Sequence, residues 1–392
     1  MKAWFGAAIF SVSCLWSIYS SAEELLEVRW GLSALHLIQD EIARGTADSS
    51  QFQTVILDRV TDRLEQLPDT AFANPDFQLA LIELALSGGE RARILKLIGK
   101  TPRKGPLLPQ LSGVEAYLNG EMGKAAKAFE VTMPQGFGDS HVDHFMELAK
   151  GTAWLDSDLQ RASQAFQMAM LYAPGTLVEE VALRRLTGIS LRKRNPELFL
   201  RCANIYLRRY RDSPFAREFM SSFVSGALLV TNREDMAQLG NLVVLLPAQR
   251  SRPLLSALTA KLLTKGKIEP AEVFAAYLRE TIDHTNAITE QKAESLVLDI
   301  LINTADASTG GSLLLLKNLE GKLAAPGMME LLDVARHVAW NIYKPAELSA
   351  EVLPGGTTKN ADSSDDFANA DQILTRAKIA LKRLNASKGP TQ

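Results

Sequence analysis

The chain has 392 residues, 46% of them hydrophobic, and its 43 Lys and Arg nearly balance 45 Asp and Glu for a formal charge of −2. That balance excludes a global attraction to nucleic acid, and the apolar content excludes a disordered chain. With Cys14 and Cys202 the only cysteines, a disulfide-stapled scaffold is excluded too, so stability must come from burial.

At the N-terminus Lys2 precedes the apolar run AWFGAAIFSVSCLWSIY, and no further charge occurs before Glu23. Small residues, Ser20-Ser21-Ala22, follow that run, so 1–22 resembles a secretory signal peptide cut after Ala22. A retained anchor is disfavoured because spanning needs about 20 apolar residues. A lipidated Cys14 is the weaker reading, because Ser11 stands where a lipobox wants Leu. Cleavage places the mature chain outside the cytoplasm, in the periplasm, with Cys202 as its one cysteine.

Residues 23–104 read as an N-terminal helical region. Val28, Leu32, Leu35, Ile38 and Ile42 form one stripe, ended by Gly45. Phe52, Val55, Ile56, Val60, Leu64 and Leu67 form the next, ended by Pro68. Steps of three and four put such side chains on one helix face. The stretch ELALSGGERARILKL, Glu83–Leu97, is close to the signature segment of ABC-type ATPases. That signature works only with a P-loop, and no G-x-x-x-x-G-K-[ST] precedes Leu86. Ser87-Gly88-Gly89 is therefore read as a helix stop and turn, with Glu90 opening the next helix.

Residues 105–345 read as a tetratricopeptide-like repeat array of antiparallel helix pairs, an all-α solenoid. In RASQAFQMAMLYAPGT, Ala162, Phe166, Ala169 and Pro174 carry the second-helix pattern: a small residue for close approach, an aromatic to fill the gap, a proline to stop the helix. Ala125 and Phe129, with Gly113 and Gly120, form a weaker copy 37 residues upstream. Val178 to Tyr210 has helix-pair form with Cys202, Tyr206 and Pro214 in loose register. NLVVLLP, Asn241 to Pro247, fits a short strand or the end of a helix. Leu331, Val334, Ala335, Val338 and Ile342 form a late stripe. Residues 346–366 are polar and glycine-containing, a flexible linker, and 367–392 carry an amphipathic tail helix with Phe367, Ile373, Leu374 and Leu381 at helical spacing.

Enzymatic constellations are thin. His141 and His144 have Asp139 or Glu147 as the nearest third ligand, and two surface histidines is the reading preferred, with no metal. Glu294-Ser295 is similar to the catalytic pair of soluble lytic transglycosylases, but the accompanying segment is missing, and no nucleophile elbow is present. Cys202 lies among arginines at a repeat position that should be buried. The strongest polar signal is basic: Arg184, Arg185, Arg192, Lys193, Arg194, Arg201, Arg208, Arg209, Arg211 and Arg217 face only Glu197 and Asp212 within the same stretch. Arg194, Arg201 and Arg208 share a face if the helix continues through them, and Arg185 and Arg192 share one on the preceding helix. Such a patch steers an acidic partner. The competing reading is a solvated face with pairs such as Glu180–Arg184, worth ~0.3–0.5 kcal/mol each.

The segments LHLIQDEIARG (Leu35–Gly45), LALSGGE (Leu84–Glu90), GVEAYLNGEMGKAAKAF (Gly113–Phe129) and YAPGTLVEEVALRRL (Tyr172–Leu186) resemble the MotC motility proteins of alphaproteobacteria such as the rhizobia. The resemblance implies a periplasmic, non-enzymatic scaffold without cofactors, needed for flagellar rotation. It also implies a protein partner, the periplasmic part of the stator subunit MotB. The partner-binding residues expected are Arg184, Arg185, Arg192, Arg194, Arg201, Arg208 and Arg209. The alternatives are a cell-wall glycosidase or its regulator, and a general envelope-assembly adaptor.

Overall fold

The computed structural model describes residues 4–46, 50–134, 142–263, 265–281 and 333; their regular elements are helices, with no strand among the described residues. The chain divides into two compact units, Met1–Leu229 and Val230–Gln392. The first contains α1 (Trp4–Arg44), α2 (Ser50–Glu65), a 3-10 turn (Asp69–Ala73), α3 (Pro75–Leu86), α4 (Arg91–Lys100), α5 (Leu108–Leu118), α6 (Met122–Phe129), α7 (Asp143–Trp154), α8 (Leu159–Tyr172), α9 (Leu177–Lys193), α10 (Pro196–Arg209) and α11 (Ala216–Ala227). The second contains α12 (Arg233–Val244), α13 (Ala248–Leu263) and α14 (Ile268–Glu280). The late stripe, the linker, the tail helix, Asp139, His141, Glu294 and Ser295 lie outside the described residues. Backbone of α1 runs through the N-terminal apolar run and past Ala22 without a break. Among the described residues no helix is long and apolar enough to cross a membrane.

Local chemistry sets the helix ends. Asn74 caps α3 by accepting from the Asp76 N–H at 3.0 Å, and Pro75 supplies the first helical φ without wasting a donor. The same helix stops where Gly88 takes φ of 108° and the Gly89 N–H returns to the Leu84 carbonyl at 3.1 Å. SGG is thus a turn, the role read from sequence. Asp158, Thr176, Asn195 and Asn232 cap α8, α9, α10 and α12 in the same way.

Sequential helices pack as pairs, most extensively α1 with α2, α5 with α6, α7 with α8 and α13 with α14. Four helix contacts close through an aromatic ring laid on a glycine. A Cβ on Gly113 would lie 2.5 Å from the Phe129 ring, and one on Gly151 2.7 Å from Phe166. Gly226 meets Phe199, and Gly240 meets Tyr277, in the same manner. Ala125, Phe129, Ala162, Phe166 and Ala169 are buried in these seams, while Pro174 is exposed in the turn after α8. Burying one such phenylalanine stabilises by about 1.5–3 kcal/mol.

One element differs from its sequence pattern, and a second settles between the two readings its sequence allowed. Phe52 and Val55 are exposed, because they sit roughly 80° and 140° around α2 from Val60, which faces α1 at Gly31. NLVVLLP is no strand: α12 continues to Val244, with Leu242 and Val243 buried.

Candidate functional site

The arginine-rich stretch spans α9, α10 and the start of α11, and its side chains divide into two sets. The first set turns inward onto buried acids. Glu180 is fully buried. Arg184, one helical turn on, places Nε 2.9 and 3.1 Å from the two Glu180 carboxylate oxygens. Tyr206 donates its hydroxyl to the same carboxylate at 2.6 Å. The far end of Arg184 pairs with Glu218 and lies over the Phe215 ring, 4.9 Å from its centre. Glu179 is buried as well, and takes Arg209 at 2.7 and 2.9 Å, the Tyr210 hydroxyl at 2.6 Å and the Gly175 N–H at 2.6 Å. Burial raises Glu180 above the usual carboxylate range, although Tyr206 and Arg184 pull it back. Burial first, then the neighbouring glutamates, holds both tyrosine hydroxyls protonated. Arg184, itself largely buried, and Arg209, half exposed, are therefore each tied to a buried glutamate, and these ties join α9 to α10 and α11.

The second set faces solvent. Arg185, Arg192, Arg194, Arg201 and Arg208 are exposed. Arg192 donates to the Leu155 carbonyl at 3.1 Å, reaching back to the corner between α7 and α8. Arg208 donates to Asn204 at 2.7 Å. Arg201 and Arg208 are two turns apart on the outward stripe of α10, about 10.5 Å along its axis. Arg194 is not on that stripe. It has φ of 50° and ψ of 46°, the left-handed bend that ends α9, so the helix does not run through it. Among the described residues Arg185, Arg194, Arg201 and Arg208 make no ion pair. Cys202 is buried beneath them, with its thiol pushed up to about 12, mainly by desolvation.

Of the network's two acids only Glu180 was visible in the sequence, as a surface pair, since Glu180–Arg184 is an ordinary i, i+4 spacing; Glu179 was missed. The signal that they are buried lies 26 and 31 residues away, in Tyr206 and Tyr210.

A second polar cluster joins α1 to α3. Gln39 donates to the Ser87 carbonyl at 2.7 Å, and His36 Nε2 lies 3.1 Å from Ser87 Oγ. Glu83 Oε1 lies 3.5 Å from His36 Nδ1. The serine hydroxyl already donates to the Glu83 carbonyl at 2.7 Å and is buried, so the trio is no activated nucleophile. No group of three His, Cys, Asp or Glu suited to a metal occurs among the described residues.

A family model described as Chemotaxis protein MotC matches residues 30–388. The chain belongs to the MotC family. Helices α2 to α14 all fall within the MotC match, as do both arginine sets and the second polar cluster. The chemotaxis protein MotC of Rhizobium meliloti (strain 1021) is 29% identical over 210 residues, 53% of this chain and 48% of that protein. The alignment thus spans about half the length of this curated MotC relative. No solved structure matches the chain.

Proposed function

We propose that the protein is a non-enzymatic periplasmic scaffold for flagellar rotation, exported by cleavage after Ala22. In this reading it binds the periplasmic part of the stator subunit MotB. The observation that carries the motility role is the MotC match across residues 30–388. The binding surface is the solvent-facing arginine set, Arg185, Arg192, Arg194, Arg201 and Arg208, held on helices whose backs are fixed by buried charge pairs. Arg184 and Arg209 act in this reading as supports for that surface. A rigid array with cations on its outer stripes captures an acidic segment and sets its orientation without covalent chemistry.

The test is a swim-plate assay on a deletion strain, complemented with wild type or with Arg201→Glu/Arg208→Glu. The expected result is loss of swimming on deletion, rescue by wild type, and at least about tenfold weaker capture of purified MotB periplasmic domain by the double variant. Far-UV CD should remain helical, because both side chains point away from the core. Undiminished swimming in the deletion strain refutes the motility role. Unchanged capture by the folded variant refutes the arginine surface.

A further inference from the structure

The first helix pair leaves large apolar side chains in water. Leu26, Trp30 and Leu37 on α1, and Phe52 and Val55 on α2, are each between 48% and 68% exposed. At about 100° per residue the three on α1 fall within about 40° of one another, turned away from the buried stripe of Val28, Leu32 and Leu35. The buried stripes of both helices, Val60 and Leu64 of α2 included, enter one core, so the exposed residues share the outer side of the α1–α2 layer. Two contacts set the register of this antiparallel pair. A Cβ on Gly31 would lie 2.5 Å from the Val60 side chain, and Arg63 pairs with Glu27 at 2.8 Å. Leu37 therefore lies level with the turn that carries Val55, and Trp30 sits about 10.5 Å away along α1. The five side chains form one patch.

The charges around the patch indicate what covers it. Most are matched within the chain, Glu27 with Arg63 at 2.8 Å and Glu41 with Arg44 at 2.7 Å. Glu23 and Arg59, exposed on the same side, carry opposite signs and make no ion pair among the described residues. The face is thus close to neutral and does not match the acidic segment that suits the arginine set. It matches another apolar face bearing one spare charge of each sign, and a second copy of the chain supplies that face. The size fits as well. Five partly exposed large side chains present roughly 100 Å² each, about 500 Å² per copy. Two copies reach about 1,000 Å² before any rim is added, the size at which a specific interface becomes stable. The end pair of a stacked helical array ordinarily turns a polar face to water, and this first pair does not. All five residues lie beyond Ala22, so a cut there leaves the patch whole.

We propose that the outer face of α1 and α2 is a self-association surface, on which a second copy docks its own Trp30, Leu37, Phe52 and Val55 across a two-fold axis. Such an interface is isologous: each copy gives and receives the same side chains, so assembly closes at two chains and does not grow into a fibre. The surface shares no residue with the arginine set, so it stands whether or not that set binds MotB.

The experiment is sedimentation equilibrium of the purified protein from about 1 to about 200 μM, with hydroxyl-radical footprinting at the two extremes. Expected is a rise from the mass of one chain to that of two, with oxidation of Trp30 and Phe52 falling about fivefold or more as the dimer fills. Trp30→Glu and Val55→Glu should each weaken association at least about tenfold with far-UV CD unchanged. Leu171→Glu, at an equally exposed leucine on α8, should associate as wild type does. A single-chain mass throughout overturns the proposal, and so does a dimer that neither Trp30→Glu nor Val55→Glu weakens. Trp30 already protected in the monomer would mean that the chain covers this face itself. A monomer that binds phosphatidylglycerol vesicles only while Trp30 is intact would make the face a lipid contact. Either result excludes the second copy. Should the variants fail to fold, the concentration dependence of wild-type footprinting decides alone.

Discussion

Glu180 has no exposed surface, yet it lies one helical turn before Arg184, and their meeting at 2.9 Å changes what the arginine is for. On an exposed helix that spacing contributes a few tenths of a kcal/mol. Here, removing the cation leaves a desolvated carboxylate with only Tyr206 to compensate it. Arg184→Ala should therefore destabilise by about 3 kcal/mol in urea unfolding, whereas Arg201→Ala should stay within about 0.5 kcal/mol. Equal effects of the two substitutions would contradict the division of the arginines into those tied to buried glutamates and those facing solvent. Spacing made the Glu180–Arg184 pair legible. Its depth was not, because depth is set by Tyr206 and Phe219, which stack 3.7 Å apart in helices that follow later. Arg194 carries the complementary lesson. A seven-residue interval places side chains on one face only while the helix lasts, and Asn195 with Pro196 starts a new one.

At the level of helices, apolar spacing marked α1 and α2, and the small-residue and aromatic positions Ala125, Phe129, Ala162 and Phe166 fall in the seams between paired helices. Gly151 escaped notice because its ring partner follows after 15 residues, where the Gly113–Phe129 interval is 16. Contact between a ring and a glycine tolerates that slip, whereas a sequence template does not. Gly151→Ala should cost about 1–3 kcal/mol through overpacking against Phe166, read as a lower urea midpoint. Adding Phe166→Leu should recover part of that loss, since the smaller side chain yields the space; purely additive losses would count against a shared seam. The run NLVVLLP was ambiguous for a different reason. Helix α12 packs on both α13 and α14, so its apolar residues occupy two faces and the period of a one-sided helix is blurred.

For the molecule as a whole, a net charge of −2 conceals a stretch in which ten cations face two acids. An exposed cationic surface on a slightly acidic protein acts on approach more than on grip. Under the proposed function, association with the MotB periplasmic domain should slow several-fold as salt rises from about 0.05 to about 0.5 M, with dissociation much less affected. A rate insensitive to salt would place the contact elsewhere. The fold class was legible at this scale because helical spacing recurs through the chain. The way α1 reaches across the array was not, because neither composition nor periodicity records a contact over so great a separation.

That reach has a bearing on how the chain assembles. Near its C-terminal end α1 offers Asp40 to the Leu177 N–H, 137 residues away, and Arg44 to the Gly175 carbonyl, 131 residues away. Gly45 then abuts the Asp212 backbone so closely that no Cβ fits. Stacked repeats can ordinarily add neighbour to neighbour, each unit stable once the last is in place. Here the opening helix waits, its seat incomplete, until α9 has been formed, and closing that long circuit carries an entropic barrier local stacking avoids. The first unit should consequently acquire its structure in one concerted event instead of unit by unit, and a chain ended before Gly175 would leave the C-terminal end of α1 without its α9 contacts.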